Sequence, residues 1–155
     1  MTGSRLAVAA LSAAMLLTSL PAAAAPGSAG PMATINRAIV AFNKGDGKTW
    51  TAQCASPVVI VDDFPPYTWA GATGCANWWN AYVADAKKNA HTDGVVTLGT
   101  PWHVDVTGDS AYVVAPATYA YKQSGKGMSL AGVFTLALKK GAAGWLITGW
   151  SWADH

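Results

Sequence analysis

Hydrophobic positions recur along this chain with two different periods, and the change falls at Gly94. Before it, Ile35, Ala38, Ile39 and Phe42 follow at i, i+3, i+4 and i+7, which makes one apolar stripe of a helix. Pro31 suits that helix's first turn. Asn43-Lys44-Gly45-Asp46 ends it, with Gly45 able to take the left-handed cap conformation. A shorter helical turn is expected over residues 49–55, before Pro57. The β-branched run at 58–61 reads as a strand ending on Asp62-Asp63, and Pro65-Pro66 then opens a loop carrying Tyr67 and Trp69. The longest helix is expected over 75–90. Its rows Trp78, Tyr82, Ala86 and Trp79, Val83, Ala86 read as core-facing.

After Gly94 the pattern becomes β-branched and aromatic, with strands expected over 95–106, 111–122, 128–140 and 144–153. Gly108-Asp109, Ser124-Gly125 and residues 141–144 separate them as turns. Short turns between consecutive strands imply an antiparallel meander. Helices segregated from a run of strands indicate an α+β fold, with three helices covering one face of a curved antiparallel sheet.

One segment stands outside this scheme. A polar start, Arg5, an apolar run at 6–20, Pro21 and the small residues Ala22-Ala23-Ala24 follow the order of a secretory leader. The run is shorter than the roughly 20 residues a membrane-spanning helix needs. The expected organisation is a signal peptide over 1–24 cleaved near Ala24, a linker over 25–31, and one domain over 32–155. The mature chain is then exported, to the periplasm or the cell exterior. Without Arg5, nine of the ten Lys and Arg remain against eight acidic residues, all Asp. That balance gives no electrostatic footprint for nucleic acid or for an anionic membrane.

Export also changes the meaning of the two cysteines. Cys54 and Cys75 would sit where disulfides persist, and a bridge closing a loop of about 20 residues would stabilise the fold by roughly 3 kcal/mol. Two free thiols or a redox pair are the competing readings, but no C-x-x-C spacing exists.

Particular stretches resemble a known superfamily. Residues 39–46, an apolar stripe closing on an N-x-G-D turn, resemble the first-helix ending of the nuclear transport factor 2-like (SnoaL-like) superfamily. Residues 58–64 resemble the strand that follows, and Gly144-Trp145-Leu146-Ile147-Thr148-Gly149-Trp150 resembles the final strand. The resemblance implies a cone-shaped, cystatin-like fold enclosing a mostly apolar pocket, and homodimerisation through the outer sheet face. One fold of this kind hosts many functions.

Candidate chemistry is sparse. Asp62 and Asp63 are adjacent, and neighbouring residues of a regular strand point to opposite faces, so they are not expected to flank one substrate together. By resemblance, Asp63 falls where ketosteroid isomerases place their catalytic base. The rest of that set is missing, because the family's helix tyrosine falls at Ala38 and its oxyanion-binding acid at Gly132. His103 and Asp105 lie two apart in an expected strand and share a face, as a catalytic dyad would. His91 reads as surface beside Thr92-Asp93. No metal set or phosphate loop occurs, and no cofactor is expected.

Aromatic content is the more unusual feature, with eight Trp and five Tyr. Trp150 and Trp152 share one strand face, and Tyr119 and Tyr121 share another. These four, with Trp79, Tyr67 and Trp69, are candidates to enclose a flat or apolar ligand. The leading expectation is a small-ligand-binding domain with an aromatic-lined pocket. The alternatives are an isomerase, dehydratase or cyclase-type lyase using Asp63 as base with His103 and Asp105, or a protein-interaction module acting through the outer sheet face.

Overall fold

A computed structural model describes residues 30–155. The expected leader and nearly all of the expected linker lie outside the described residues. The first helix, α1 (Pro31–Asn43), carries Pro31 in its first turn and buries Ile35, Ala38 and Phe42 along the anticipated stripe. Gly45 follows with φ 67°, the left-handed conformation that lets the chain leave the helix. Asp46 then caps the short α2 (Gly47–Thr51) by accepting from the Thr49 backbone N–H at 3.0 Å.

Seven strands follow or flank the third helix: β1 (Cys54–Val61), β2 (Thr68–Gly71), α3 (Gly74–Lys88), β3 (His91–Leu98), β4 (His103–Thr107), β5 (Ser110–Gln123), β6 (Lys126–Gly141) and β7 (Gly144–Asp154). They form one curved, unclosed sheet in the order β2-β1-β7-β6-β5-β3, with β4 also paired to β5. The three helices pack on its inner face, so the α+β layering agrees with the sequence reading.

Three details differ from expectation. The sheet is mixed rather than wholly antiparallel, because β1 runs parallel to β7. The single strand expected over 95–106 is two strands on one edge of β5, where Leu98 pairs with Ala117 and His103 with Val114. Pro101 has no N–H to donate to a ladder, and Gly99 lies so near β5 that an added Cβ would meet Pro116 at 3.0 Å. Finally, Trp69 belongs to β2 opposite Ile60, not to a loop, and its ring is buried against Phe64 with centroids 4.9 Å apart.

Two devices tie the helices to the sheet. Asn43, the last residue of α1, accepts from the Val96 N–H at 2.8 Å and donates to the Val96 carbonyl at 2.9 Å. It thereby occupies backbone groups of β3 that have no strand partner on that side. A disulfide joins Cys54 at the start of β1 to Cys75 at the start of α3, with Cα atoms 6.5 Å apart. Among the described residues no helix is long and apolar enough to cross a membrane.

Candidate functional site

The inner face of the sheet and the helices enclose a cavity of about 280 Å³. Alternation along the strands builds its walls. Tyr119 and Tyr121 of β5, and Leu130, Phe134 and Leu136 of β6, all project to the concave side. In β7 a register shift between Ala137 and Leu138 of its partner falls between Ile147 and Trp150. That irregularity lets Ile147, Trp150 and Trp152 all line the cavity although the first two are an odd three positions apart. Phe42 of α1 and Trp78 and Tyr82 of α3 close the other side.

An aromatic cluster continues behind this wall. Trp78 stacks on Trp50 at 4.5 Å and on Tyr82 at 5.5 Å, and meets Trp150 edge-on at 5.1 Å. Such offset and edge contacts each contribute about 0.5–1.5 kcal/mol beyond area burial.

Two carboxylates enter this apolar space. Strand β1 ends at Val61, so the strict alternation of faces stops there, and Asp62 and Asp63 both line the cavity. The turn is held by Asp62 N–H donating to the Tyr67 carbonyl at 3.1 Å and Tyr67 N–H donating to the Phe64 carbonyl at 2.9 Å. Asp62 Oδ2 accepts from the Trp78 indole N–H at 2.7 Å, and its Oδ1 accepts from the Asp63 backbone N–H at 3.0 Å. Both bonds favour the ionised form, yet burial outweighs them and pushes the Asp62 carboxyl up to about 7. Asp63 remains exposed and marks the solvent-facing rim. Its carboxyl is also raised, first by burial and then by the negative charge of Asp154.

The second polar feature is a tyrosine pair. The Tyr82 and Tyr119 hydroxyls lie 3.0 Å apart and share a hydrogen bond. Burial raises both above the usual phenol range, so both stay neutral at physiological pH. Gly94 makes room for them, since an added Cβ would meet the Tyr82 hydroxyl at 2.7 Å and the Tyr119 hydroxyl at 2.9 Å.

The residues singled out in the sequence divide cleanly. Asp63, Tyr119, Tyr121, Trp150 and Trp152 line the cavity. Trp69 and Trp79 do not; Trp69 is core, and Trp79 packs behind the wall against Trp50 and Phe42. Tyr67 is 56% exposed on the turn. His103 and Asp105 pair with Val114 and Tyr112 on the outer face of the sheet, away from the cavity. His91, expected at the surface, lines the cavity with its ring 4.5 Å from that of Tyr121. The sequence reading assigns no chemistry to Asp62 or Tyr82: alternation separates Asp62 from Asp63, the resemblance favours Asp63, and helical spacing assigns Tyr82 to core. Gly132, where the resemblance places an oxyanion-binding acid, is covered by the Trp152 ring, which an added Cβ would strike.

The molecule is thus a cone-shaped α+β domain around an aromatic cavity. No protein-family model matches it, and neither does any curated protein. Solved structures do. An NTF2-like protein with a cystatin-like fold from Novosphingobium aromaticivorans matches with a TM-score of 0.64 at 17% identity, over 79% of this chain and 77% of that one. An NTF2-like superfamily protein from Salmonella enterica matches with a TM-score of 0.65 at 17% identity, over 79% and 86%. A ketosteroid isomerase-like protein from Erwinia carotovora matches with a TM-score of 0.63 at 17% identity, over 80% and 92%. The fold is the NTF2-like, cystatin-like fold.

Proposed function

We propose that this is an exported domain that binds a small, largely apolar molecule in the cone. The observation that carries the reading is the cavity itself: about 280 Å³, walled by rings, with polar groups confined to the Asp62–Asp63 turn, the tyrosine pair and a few residues near the rim. An apolar concavity with a few fixed polar groups is the usual form of a small-molecule site. The disulfide between Cys54 and Cys75 supports export, because such bonds persist in oxidising compartments.

Native mass spectrometry of protein purified from its exporting host tests this directly. The expected result is a bound small molecule that leaves on denaturation. Repeated absence of any adduct, together with no uptake of apolar probes by the folded protein, would overturn the reading.

A second reading, proton transfer, is favoured by one observation. Asp62 is a half-buried carboxyl pushed up to about 7 inside the cavity, as suits a general base or acid. In this reading Asp62 takes the role expected of Asp63, and Tyr119 rather than His103 or Asp105 is the available hydrogen-bond donor. Its test is loss of turnover in Asp62→Asn with retained ligand binding. Homodimerisation through the outer sheet face belongs to the same proposal. Val59, Gly149, Ala137 and Tyr112 form one row across that face, and Val59 and Tyr112 are exposed. Sedimentation analysis showing a monomer would remove it.

A further inference from the structure

The cavity's charge is as one-sided as its walls are aromatic. Asp62, Asp63 and Asp85 line it, and no Lys or Arg does. Asp154 is close enough to raise the Asp63 carboxyl, and its own Oδ1 accepts from the Trp152 indole N–H at 2.9 Å. The nine basic residues of the described chain all lie elsewhere; His91 alone among the lining residues can become cationic. Acidic side chains in an apolar space normally have a counter-charge, because an unpaired buried carboxylate is costly and neutralises itself by taking a proton. Among the described residues no Lys or Arg at the cavity supplies that counter-charge.

Aromatic faces add a second preference. Trp78, Trp150, Tyr119 and Phe134 present rings to the same space as Asp62, and ring faces attract cations most strongly where water is excluded.

The geometry points to an organic ammonium ion as the occupant: a compact cation with an apolar or aromatic body, its charge set against Asp62 and Asp63 and its body among the rings. This inference rests on the binding reading above and names the class of molecule bound at that site. It also gives Asp62 a part to play. Burial keeps a proton on its carboxyl to about neutral pH, and a bound cation would replace that proton as the balancing charge. The titratable groups that share the cavity with Asp62 and Asp63 are Asp85 and Tyr82 from α3, His91 from β3, and Tyr119 and Tyr121 from β5, with Asp154 of β7 near Asp63. No Lys or Arg is among them.

A matched pair of probes with no titrating group tests the charge alone: 3-methoxyphenyltrimethylammonium and its neutral isostere 3-tert-butylanisole, titrated by calorimetry and Trp fluorescence at pH 6 and pH 8. The cation is expected to bind at least about tenfold more tightly than the neutral ether at pH 8, and to lose affinity at pH 6, where Asp62 must give up its proton. Asp62→Asn and Asp63→Asn should each weaken the cation about tenfold and leave the neutral ether within about twofold, which also reports that the variants are folded. Equal or tighter binding of the neutral ether by the wild type overturns the ammonium inference and leaves the binding reading standing. If neither probe binds to folded, disulfide-closed protein, both readings fall.

Discussion

The indole N–H of Trp78 donates to Asp62 Oδ2 at 2.7 Å, which joins the hub of the aromatic cluster to the most displaced carboxyl in the cavity. Trp78 is buried, and its ring touches Trp50, Tyr82 and Trp150. Packing therefore fixes the donor, and the donor fixes the carboxylate. Together with the local bond from the Asp63 N–H to Asp62 Oδ1, it holds both carboxylate oxygens and selects one rotamer.

Trp78→Phe keeps most of the ring and removes the donor. The hydrogen bond favours the ionised carboxylate, so its loss should move the Asp62 titration midpoint upward from about 7. Carboxyl-carbon NMR reads that midpoint directly. Stability should fall by about 1–3 kcal/mol from the smaller ring and the lost bond. An unmoved midpoint would show that Trp78 packs beside Asp62 without governing its charge.

Stability should also carry the mark of Asp62. An Asp that titrates at 3.8 in the unfolded chain and at about 7 when folded holds a proton through that interval that the unfolded chain has released. Stability from this group therefore falls as pH rises from about 4 to 7, with an upper bound of roughly 4 kcal/mol. Asp63 is shifted in the same direction and adds to the slope. Asp62→Asn keeps an acceptor for Trp78 and removes the charge. Denaturant unfolding should show the variant's advantage over wild type to be larger at pH 8 than at pH 5; parallel pH curves would refute the assignment.

Gly94 and the tyrosine pair give a prediction of a different kind. A methyl group at Gly94 would sit inside contact distance of both hydroxyls, which hold one another at 3.0 Å. Gly94→Ala should part them and cost about 1–3 kcal/mol. Tyr119→Phe removes one of the two obstructing oxygens, so the same glycine substitution should cost less in that background. Additive losses in the double variant would mean that the backbone, not the tyrosine pair, resists the change.

Much of the architecture was legible because it is local. The Ile35–Phe42 stripe, the Gly45 exit and the aromatic strands after Gly94 are periodicities of neighbouring residues, and the structure keeps them. What was not legible depends on where strands stop and which distant strand they meet. Alternation carried past the end of β1 puts Asp62 and Asp63 on opposite faces, whereas both line the cavity. Trp69 reads as loop because a four-residue strand carries too little pattern to be seen. His91 reads as the polar end of a helix, whereas the helix ends at Lys88 and β3 begins at His91, opposite Gln123. The parallel pairing of β1 with β7 and the hydroxyl contact between Tyr82 and Tyr119 join segments that no window of sequence contains together.

The disulfide offers a test of how the cavity is held shut. Cys54 and Cys75 pin the start of β1 to the start of α3; α3 carries Trp78, and its partner Asp62 directly follows the end of β1. Replacing both cysteines by Ser should lower stability by about 3 kcal/mol, from the loop left open in the unfolded chain. Thermal unfolding of oxidised, reduced and substituted protein should give one high and two lower midpoints. Coincident midpoints would mean that packing of Trp78 alone holds α3 in place.

His103 and Asp105 provide the sharpest negative prediction. They share a face, as two residues apart in a strand must, but the register of β4 on β5 sets them beside Val114 and Tyr112, outside the cone. Both are exposed, and neither makes a hydrogen bond or ion pair among the described residues that a substitution would break. His103→Ala and Asp105→Asn, singly or together, should therefore leave stability within about 0.5 kcal/mol and cavity-ligand affinity within about twofold. Asp62→Asn in the same assay supplies the contrast, since it alters a group inside the cavity. A marked loss of affinity in the His103 or Asp105 variants would mean that the outer face participates in binding, and would move the site from the cone to the sheet surface.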